Sequence, residues 1–182
     1  MAPKNWRFRS MTMIKRRIFI NYEKEEKWLN EMAQKGYHLV KYSLTKYTFE
    51  EGEAGKYIYR IQYVGNNTDE ENEEYFQIMK DSNVELITYA MNWAIFRKKT
   101  EDGPFNIFSD YASKIQHYYS ISKMLGILTL VNLFLAFLNI SFQTKLNIFV
   151  SIFSFSVVLL MLVTMGYYLK QAKKLSAKKE NL

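Results

Sequence analysis

One stretch of the sequence, residues 123–170, reads KMLGILTLVNLFLAFLNISFQTKLNIFVSIFSFSVVLLMLVTMGYYLK and carries a single charge, Lys145, between its terminal lysines. Lys145 divides it into uncharged runs of 21 and 24 residues. About 20 apolar residues let a helix cross the core of a bilayer. Backbone polar groups in lipid must be satisfied within the segment, which favours a helix. We therefore predict two transmembrane helices, 121–143 and 146–169, joined as a hairpin.

Positive charge flanks this hairpin on one side. The lysines concerned are Lys114 and Lys123 before the first span and Lys170, Lys173, Lys174, Lys178 and Lys179 after the second. The connector between the spans carries only Lys145. The positive-inside rule then predicts a two-span protein of the cell membrane with both termini, including a basic tail over 170–182, in the cytoplasm. A buried hairpin of a soluble protein is the alternative, but such helices normally keep a polar face.

Uncharged polar residues lie within both spans. Asn132 and Asn139 are seven residues apart on the first, and Ser151, Ser154 and Ser156 lie on the second. Polar side chains in lipid tend to face another helix, so we favour packing within the hairpin or a dimer over a pore. No acidic or basic residue lies in the middle of either span, which argues against an ion-coupled transporter.

The segment before the membrane reads as one pattern used twice. Residues 14–50 and 56–99 each predict a strand, a helix and two strands, and an offset of 47 residues aligns Trp28 with Tyr75 and Gly36 with Asn83. Agreement in order, caps and apolar positions indicates an internal repeat, although chance similarity of two amphipathic helices is the alternative. We predict a cytosolic α+β domain over 14–100, with a mainly antiparallel sheet covered on one face by both helices.

The remaining segments connect these parts. Residues 1–13 form a basic N-terminal extension, and residues 101–120 form a linker and a juxtamembrane segment. Gly103 and Pro104 mark the end of the domain. The apolar residues Phe105, Ile107 and Phe108 suit a position in the membrane interface.

No pattern of catalytic or metal-binding residues is recognisable. The chain has no Cys and two His, and it lacks a glycine-rich phosphate loop or a nucleophile elbow. We therefore expect no enzymatic activity, no catalytic residue, no metal and no cofactor. Nucleic acid is not an expected partner, because the folded part is net acidic between its basic ends.

Aromatic side chains are the candidate ligand-binding residues. The strand over 57–63 alternates tyrosines with other residues, and tryptophans lie nearby in both halves. The candidates are Trp28, Tyr47, Tyr57, Tyr59 and Trp93. They either line a pocket for a flat or apolar small molecule or form the core with cross-strand stacking.

The block NYEKEEKWLNEMAQKG, followed by a Tyr-x-Phe strand and a Tyr-x-Tyr-Arg strand, closely resembles a bacterial family known as domain of unknown function 2812. Tyr22–Gly36, Tyr47–Phe49 and Tyr57–Arg60 carry the resemblance. It implies a membrane-anchored regulatory protein, often encoded beside PadR-like regulators, and supplies no catalytic residue. Such proteins often begin near the first strand, which makes Met11 or Met13 an expected start. The topology also resembles duplicated gyrase-inhibitor-like units, which bind small molecules in some multidrug-responsive regulators.

From these features we expect a membrane-tethered sensor or adaptor domain in a regulatory or stress-response system. It would bind a small amphipathic molecule or a partner protein, with a PadR-like regulator or a membrane protein as partner. An accessory subunit of a membrane transporter complex is the alternative. The lipid bilayer is the other expected partner, and a homo-oligomer is open.

Overall fold

A computed structural model describes residues 12–180 of the chain, which form two compact units that meet in sequence between Ile107 and Phe108. The first unit contains β1 (Thr12–Arg16), α1 (Tyr22–Gln34), β2 (Tyr37–Ser43), β3 (Lys46–Glu51), β4 (Tyr57–Tyr63), α2 (Asp69–Asp81), β5 (Val84–Ala90), β6 (Trp93–Lys99) and a 3-10 turn (Thr100–Asp102). The second unit contains α3 (Tyr111–Ser141) and α4 (Lys145–Glu180). Most of the basic extension predicted over 1–13 lies outside the described residues.

The two short helices begin and end as their sequences indicate. The side chain of Asn21 accepts from the N–H of Lys24 at the start of α1, and Thr68 and Glu71 form a capping box at the start of α2. After the helices, Gly36 and Asn83 adopt left-handed backbone conformations, with φ of 80° and 61°. The caps therefore fix both helix–strand junctions.

The α+β class predicted from the sequence is confirmed. The strands are antiparallel and form two three-stranded sheets, in the orders β1-β3-β2 and β4-β6-β5, instead of one continuous sheet. We name residues 12–51 the first module and residues 57–99 the second module. Each module runs strand–helix–strand–strand and has the same strand order.

The offset of 47 residues also relates irregular features of the two modules. The β-bulge between Leu39 and Lys41 in β2 corresponds to the bulge between Leu86 and Thr88 in β5. The positive-φ turn residues 44 and 45 correspond to residues 91 and 92. Since bulges and positive-φ turns are specific backbone devices, their agreement relates the modules more closely than helix periodicity does.

The helices of the two modules differ in burial. In α1 the buried residues are Tyr22, Trp28, Leu29, Met32 and Ala33. In α2 the buried residue is Asn72, and the apolar residues Tyr75, Phe76 and Met79 are only partly buried. Both helices pack on their own sheet, but α2 leaves part of its apolar side accessible.

The end of the first unit completes the core of the second module. Phe105 is 5% exposed and packs with Val84, Ala94 and Phe96, and Ile107 packs against the same cluster. We expected Phe105 and Ile107 in the membrane interface; the structure places them in this protein core instead. Burial of an aromatic ring in a protein core removes the same apolar area from water that lipid would cover.

The second unit is a helical hairpin of α3 and α4. Both helices are long and apolar enough to cross a membrane, and most of the side chains in their apolar windows are not buried within the protein. Ser151 is fully buried between them and donates to the carbonyl of Ala136 at 2.9 Å. The predicted packing role of this serine is confirmed. The helices extend beyond the predicted spans, so that α3 includes residues 111–120 and α4 includes most of the basic tail.

Candidate functional site

Side chains of α1 cover the free edge of β4. Oδ1 of Asn30 accepts from the N–H of Tyr59 at 2.9 Å, and Nδ2 of Asn30 donates to the carbonyl of Tyr59 at 3.0 Å. Oε2 of Glu26 accepts from the N–H of Ile61 at 2.9 Å. An edge strand otherwise presents unpaired backbone groups. One amide and one carboxylate therefore take the place of a neighbouring strand.

The bulged edge of β2 is satisfied in a similar way by the second module. The N–H of Leu39 donates to the hydroxyl of Tyr59 at 2.8 Å, and Nη1 of Arg97 donates to the carbonyl of Leu39 at 3.1 Å. The rings of His38 and Tyr57 meet edge to face at 5.0 Å. The backbone of β4 is thus bonded by α1, the edge of β2 is bonded by side chains of β4 and β6, and side chains satisfy the edges where a sheet would otherwise continue. This is the physical reason for two sheets.

Arg97 lies at the centre of this junction. Its Nε and Nη2 atoms donate to both carboxylate oxygens of Glu85, at 2.8 and 2.9 Å, and its guanidinium lies 4.3 Å from the ring centroid of Tyr57. Burial lowers the pKa of Arg97, but Glu85 and Tyr59 together raise it more, so the net shift is upward and the side chain stays charged. A bidentate, stacked arginine fixes the orientation of both modules.

A small polar cavity adjoins this arginine. Its volume is about 250 Å³, and it is lined by Tyr57, Asn83, Glu85, Arg97, Lys99 and Asp102. Acidic and basic side chains are mixed in the lining, and Glu85 already neutralises Arg97. The cavity therefore presents no net charge suited to one class of ion.

His38 is a buried titratable residue of the same junction. It is 5% exposed, and its Nε2 donates to the carbonyl of Glu53 at 2.8 Å in the corresponding neutral tautomer. Its Nδ1 is buried and has no hydrogen-bond partner within residues 12–180. Burial lowers the pKa of His38, so the ring is neutral at physiological pH.

A groove with a volume of about 580 Å³ lies between α2 and β5. Its lining consists of Glu73, Phe76, Gln77, Lys80, Asn83, Val84, Glu85 and Leu86. The apolar floor is formed by Phe76, Val84 and Leu86, and the polar rim carries two carboxylates and one ammonium group. Asn83 and Glu85 also line the small cavity, so the groove and the cavity adjoin. We refer to this feature as the α2–β5 groove.

The five predicted ligand-binding aromatics are not gathered in the α2–β5 groove. Trp28, Tyr47 and Tyr59 are 6%, 1% and 0% exposed and belong to the core. Trp28 and Tyr47 meet edge to face at 4.8 Å. Tyr57 lines the small cavity beside Arg97, and Trp93 packs against other aromatic rings at the far end of β6. The structure thus brings together Trp28 and Tyr47, with the others spread along the module junction.

A buried carboxyl–phenol pair supports the core of the first module. The hydroxyl of Tyr47 donates to Oε1 of Glu25 at 2.7 Å. Burial raises the pKa of Glu25, and burial together with this hydrogen bond raises the pKa of Tyr47 far above its ordinary value. Since the carboxylate of Glu25 and the hydroxyl of Tyr47 are hydrogen-bonded to each other, we assign the pair a structural role.

The groove residues were not predicted as a site. The signal that identifies them is the offset of 47 residues, which aligns Glu73 with Glu26 and Gln77 with Asn30. This offset shows that α2 carries a glutamate and an amide side chain at the positions where α1 carries the glutamate and the amide that bind β4. The role of that pair in α1 becomes visible only from its contacts with β4.

No group of three or more His, Asp or Glu side chains in the described part of the chain is placed to hold a metal ion. The chemistry available in the groove is therefore that of apolar contact, hydrogen bonding and charge.

Comparison with known families identifies the chain. A family model described as a protein of unknown function, DUF2812, matches residues 21–130, which include α1 to β6 and the first part of α3. The chain belongs to the DUF2812 family. No curated protein and no solved structure matches it. The resemblance noted in the sequence is confirmed for the DUF2812 family itself, and the α2–β5 groove lies within the matched region.

Proposed function

We propose that this DUF2812 protein is a membrane-tethered sensor or adaptor. Its α+β domain receives, in the α2–β5 groove, an amphipathic molecule or a partner segment that combines apolar groups with positive charge. The observation that carries the proposal is the groove itself, with its apolar floor and the carboxylate of Glu73, since Glu85 is already paired with Arg97. Apolar area supplies affinity, and the charges orient the occupant.

The charge of the surrounding surface supports a cationic occupant. Helix α2 has the sequence DEENEEYFQIMKD, with six carboxylates and one lysine. A surface of one sign attracts ligands of the other sign and disfavours those of its own. Glu73 is exposed, so it is available to an incoming cation.

We further propose that the two spans hold this domain at the cell membrane with both termini in the cytoplasm. The asymmetric distribution of lysines around the hairpin supports this orientation. The two modules are then an internal repeat of one ancestral unit, which their common strand order and bulge positions support. A soluble regulator, such as the PadR-like regulators implied by the resemblance, is the expected receiver of the signal.

The proposal is tested with two probe ions of nearly equal size and opposite charge, tetraphenylphosphonium and tetraphenylborate. Binding to the full-length chain in detergent is measured by equilibrium dialysis for wild type, Glu73→Lys and Glu31→Lys. Both glutamates are exposed helix residues, but Glu31 lies on α1 outside the groove. The charge change is therefore the same in the two variants.

We expect the cation to bind wild type and Glu31→Lys alike and to bind Glu73→Lys at least tenfold more weakly. The anion is expected to show no such loss, since the carboxylate of Glu73 repels it. Equal cation binding by all three chains would contradict the assignment of the groove as a cation-accepting site.

An accessory role in a membrane transporter complex is the second candidate, and it rests on the polar residues of α3. Asn132 and Asn139 are incompletely buried and donate to the carbonyls of Leu128 and Leu135 in their own helix. Amide side chains on a lipid-facing surface favour a partner helix. Detergent extraction followed by pull-down distinguishes the candidates: a stoichiometric membrane partner lost in an Asn132→Leu, Asn139→Leu variant supports the accessory role.

A further inference from the structure

The α2–β5 groove corresponds, residue by residue, to the place where β4 is held in the first module. At the offset of 47 residues, Glu73 and Gln77 correspond to Glu26 and Asn30. Glu26 and Asn30 bind the backbone of β4 at 2.9–3.0 Å. In the second module the same carboxylate and a homologous amide are exposed to solvent. The α2 side of the groove thus carries the groups that hold a strand edge.

The β5 side of the groove follows the same correspondence. Glu85 and Leu86 align with His38 and Leu39 of β2. His38 packs on Tyr57, and both backbone polar groups of Leu39 are bonded to side chains of the second module. The space that β4 fills in the first module is therefore the open groove of about 580 Å³ in the second.

The strand that corresponds to β4 is β1, and it lies at the edge of its sheet. At the same offset, Tyr59 and Ile61 correspond to Thr12 and Ile14. The strand registers also agree: Tyr59 lies opposite Arg97, and Thr12 lies opposite Glu50, which is the residue that corresponds to Arg97. The backbone N–H groups of Thr12 and Ile14 consequently point away from β3. Ile14 is 56% exposed, whereas Ile61 is 3% exposed. An apolar edge strand of this kind is prone to pair with another chain.

The charges of the groove and of β1 are opposite. Residues 12–17, TMIKRR, contain three basic residues and no acid. Helix α2 carries six carboxylates and one lysine. Opposite charge on two surfaces raises the rate of encounter and fixes their register.

We propose that the α2–β5 groove receives the β1 edge of a second copy of this chain, in the way that α1 and β2 receive β4 within one copy. The proposal rests on the proposed function of the groove and names its partner. Gln77 bonds the backbone N–H and carbonyl of Thr12 in the second copy, and Glu73 accepts from the N–H of Ile14. The apolar floor of Phe76 and Leu86 covers the exposed Ile14.

This contact is head to tail, because it joins two different surfaces. Each copy keeps a free groove at one end and a free β1 edge at the other, so further copies can add. Such a contact closes into a ring or extends as a row. Attachment to a membrane confines the copies to two dimensions, where their effective concentration is raised.

The experiment uses the absence of cysteine from the chain. Two differently tagged full-length chains, one with Glu73→Cys and one with Ile14→Cys, are co-expressed, and isolated membranes are treated with a short bismaleimide. Both positions are exposed, so the substitutions are expected to leave folding intact. The control pairs Ile14→Cys with Lys27→Cys, an exposed position on α1. Tryptophan fluorescence confirms that each variant is folded.

We expect a cross-link between the two tags for the 73–14 pair and at least fivefold less for the control pair. A single chain with both cysteines is expected to give a ladder of dimers and larger species. Adding Arg16→Glu to the Ile14→Cys chain should reduce the yield at least fivefold, since it reverses a charge next to the acidic helix.

Two results would overturn the inference: a 73–14 yield no higher than the control, or a cross-link formed only between two Glu73→Cys chains. The second result would indicate a symmetric contact between grooves. If either result is found while tetraphenylphosphonium still distinguishes wild type from Glu73→Lys, the groove is a binding site and the named partner is wrong. Loss of both signals would reject the proposed function as well.

Discussion

The hydrogen bonds of Asn30 to the backbone of Tyr59 should contribute strongly to the stability of the α+β domain. Asn30→Ala removes the amide and leaves the N–H and the carbonyl of Tyr59 without their partners. The side chain of Tyr59 is 0% exposed, so water has little access to this part of the strand. The substitution therefore tests whether α1 holds the edge of β4.

The expected loss follows from the two bonds. A hydrogen bond contributes about 1 kcal/mol net, and a buried backbone group left unpaired costs about 1–3 kcal/mol. We expect Asn30→Ala to lower the free energy of unfolding by about 2–4 kcal/mol. For a domain of this size, with a urea m-value of about 2 kcal/mol/M, the midpoint shifts by about 1–2 M.

Gln77→Ala is the matched control. Gln77 occupies the corresponding position of α2, but it is exposed and bonds Asp81 within its own helix. Surface substitutions of this kind usually change stability by no more than about 0.5 kcal/mol. Asn30→Asp adds a second comparison, because it keeps the size of the side chain but loses the donor to Tyr59. We expect it to be at least as destabilising as Asn30→Ala.

The assay is urea unfolding of the full-length chain in mild detergent, followed by tryptophan fluorescence. Trp28 and Trp93 lie in the α+β domain, and the two long apolar helices contain no tryptophan. The third tryptophan, Trp6, is replaced by Phe in every chain compared, so that the signal reports on that domain. A loss below about 0.5 kcal/mol for Asn30→Ala, or equal losses for Asn30→Ala and Gln77→Ala, would refute the reasoning. In that case the edge of β4 would not depend on α1, and the correspondence with the α2–β5 groove would lose its basis.

Four further predictions concern other parts of the chain. Gly36→Ala should destabilise the domain by about 2 kcal/mol or more, because φ is +80° and a Cβ would lie 2.6 Å from the carbonyl oxygen of residue 52. The corresponding change Asn83→Ala should destabilise it by only about 1 kcal/mol, and urea unfolding compares the two variants. The pKa of His38 is lower in the folded chain than in the unfolded chain, so the unfolded chain binds a proton more readily than the folded chain does. The free energy of unfolding should therefore be at its full value above about pH 6.5 and should fall as the pH is lowered below it. His38→Phe should remove this dependence on pH. In the hairpin, Ser151→Leu should lower the temperature at which the detergent-solubilised chain aggregates, by overpacking worth about 1–3 kcal/mol, and the exposed Ser156→Leu should not. Reporter domains fused to either end should be active in the cytoplasm, and an external signal from either fusion would contradict the orientation.

Much of the architecture could be predicted because it depends on local patterns. The caps at Asn21 and Gly36 and the two uncharged runs around Lys145 each specify an element within one or two helical turns of sequence. The correspondence of Trp28 with Tyr75 indicated two modules of the same kind, and the strand orders agree with that reading. Helix ends were less predictable: α3 begins at Tyr111, because no helix-breaking residue separates residues 111–120 from the apolar run that follows.

The candidate site could not be predicted in the same way. Tyr47 and Tyr59 are of a residue type that often lines ligand pockets, yet both are buried in the core. Residue type does not distinguish the two positions, because aromatic side chains suit a core and a pocket equally well. Glu73 and Gln77 looked like ordinary solvated residues of an acidic helix. Their significance depends on contacts that Glu26 and Asn30 make with a strand some 30 residues away.

Local patterns in the sequence specify the classes of structure present: two apolar helices, a charged α+β segment and a strand–helix–strand–strand pattern that recurs at an offset of 47 residues. These follow from hydrophobicity and backbone preference, which act over short distances along the chain. Contacts between distant residues, which appear only once the chain has folded, bond the backbone of β4 to side chains of α1 and leave the α2–β5 groove open. The described part of the chain has one junction between the two modules, so the α2–β5 groove stays open and β1 stays at the edge of its sheet.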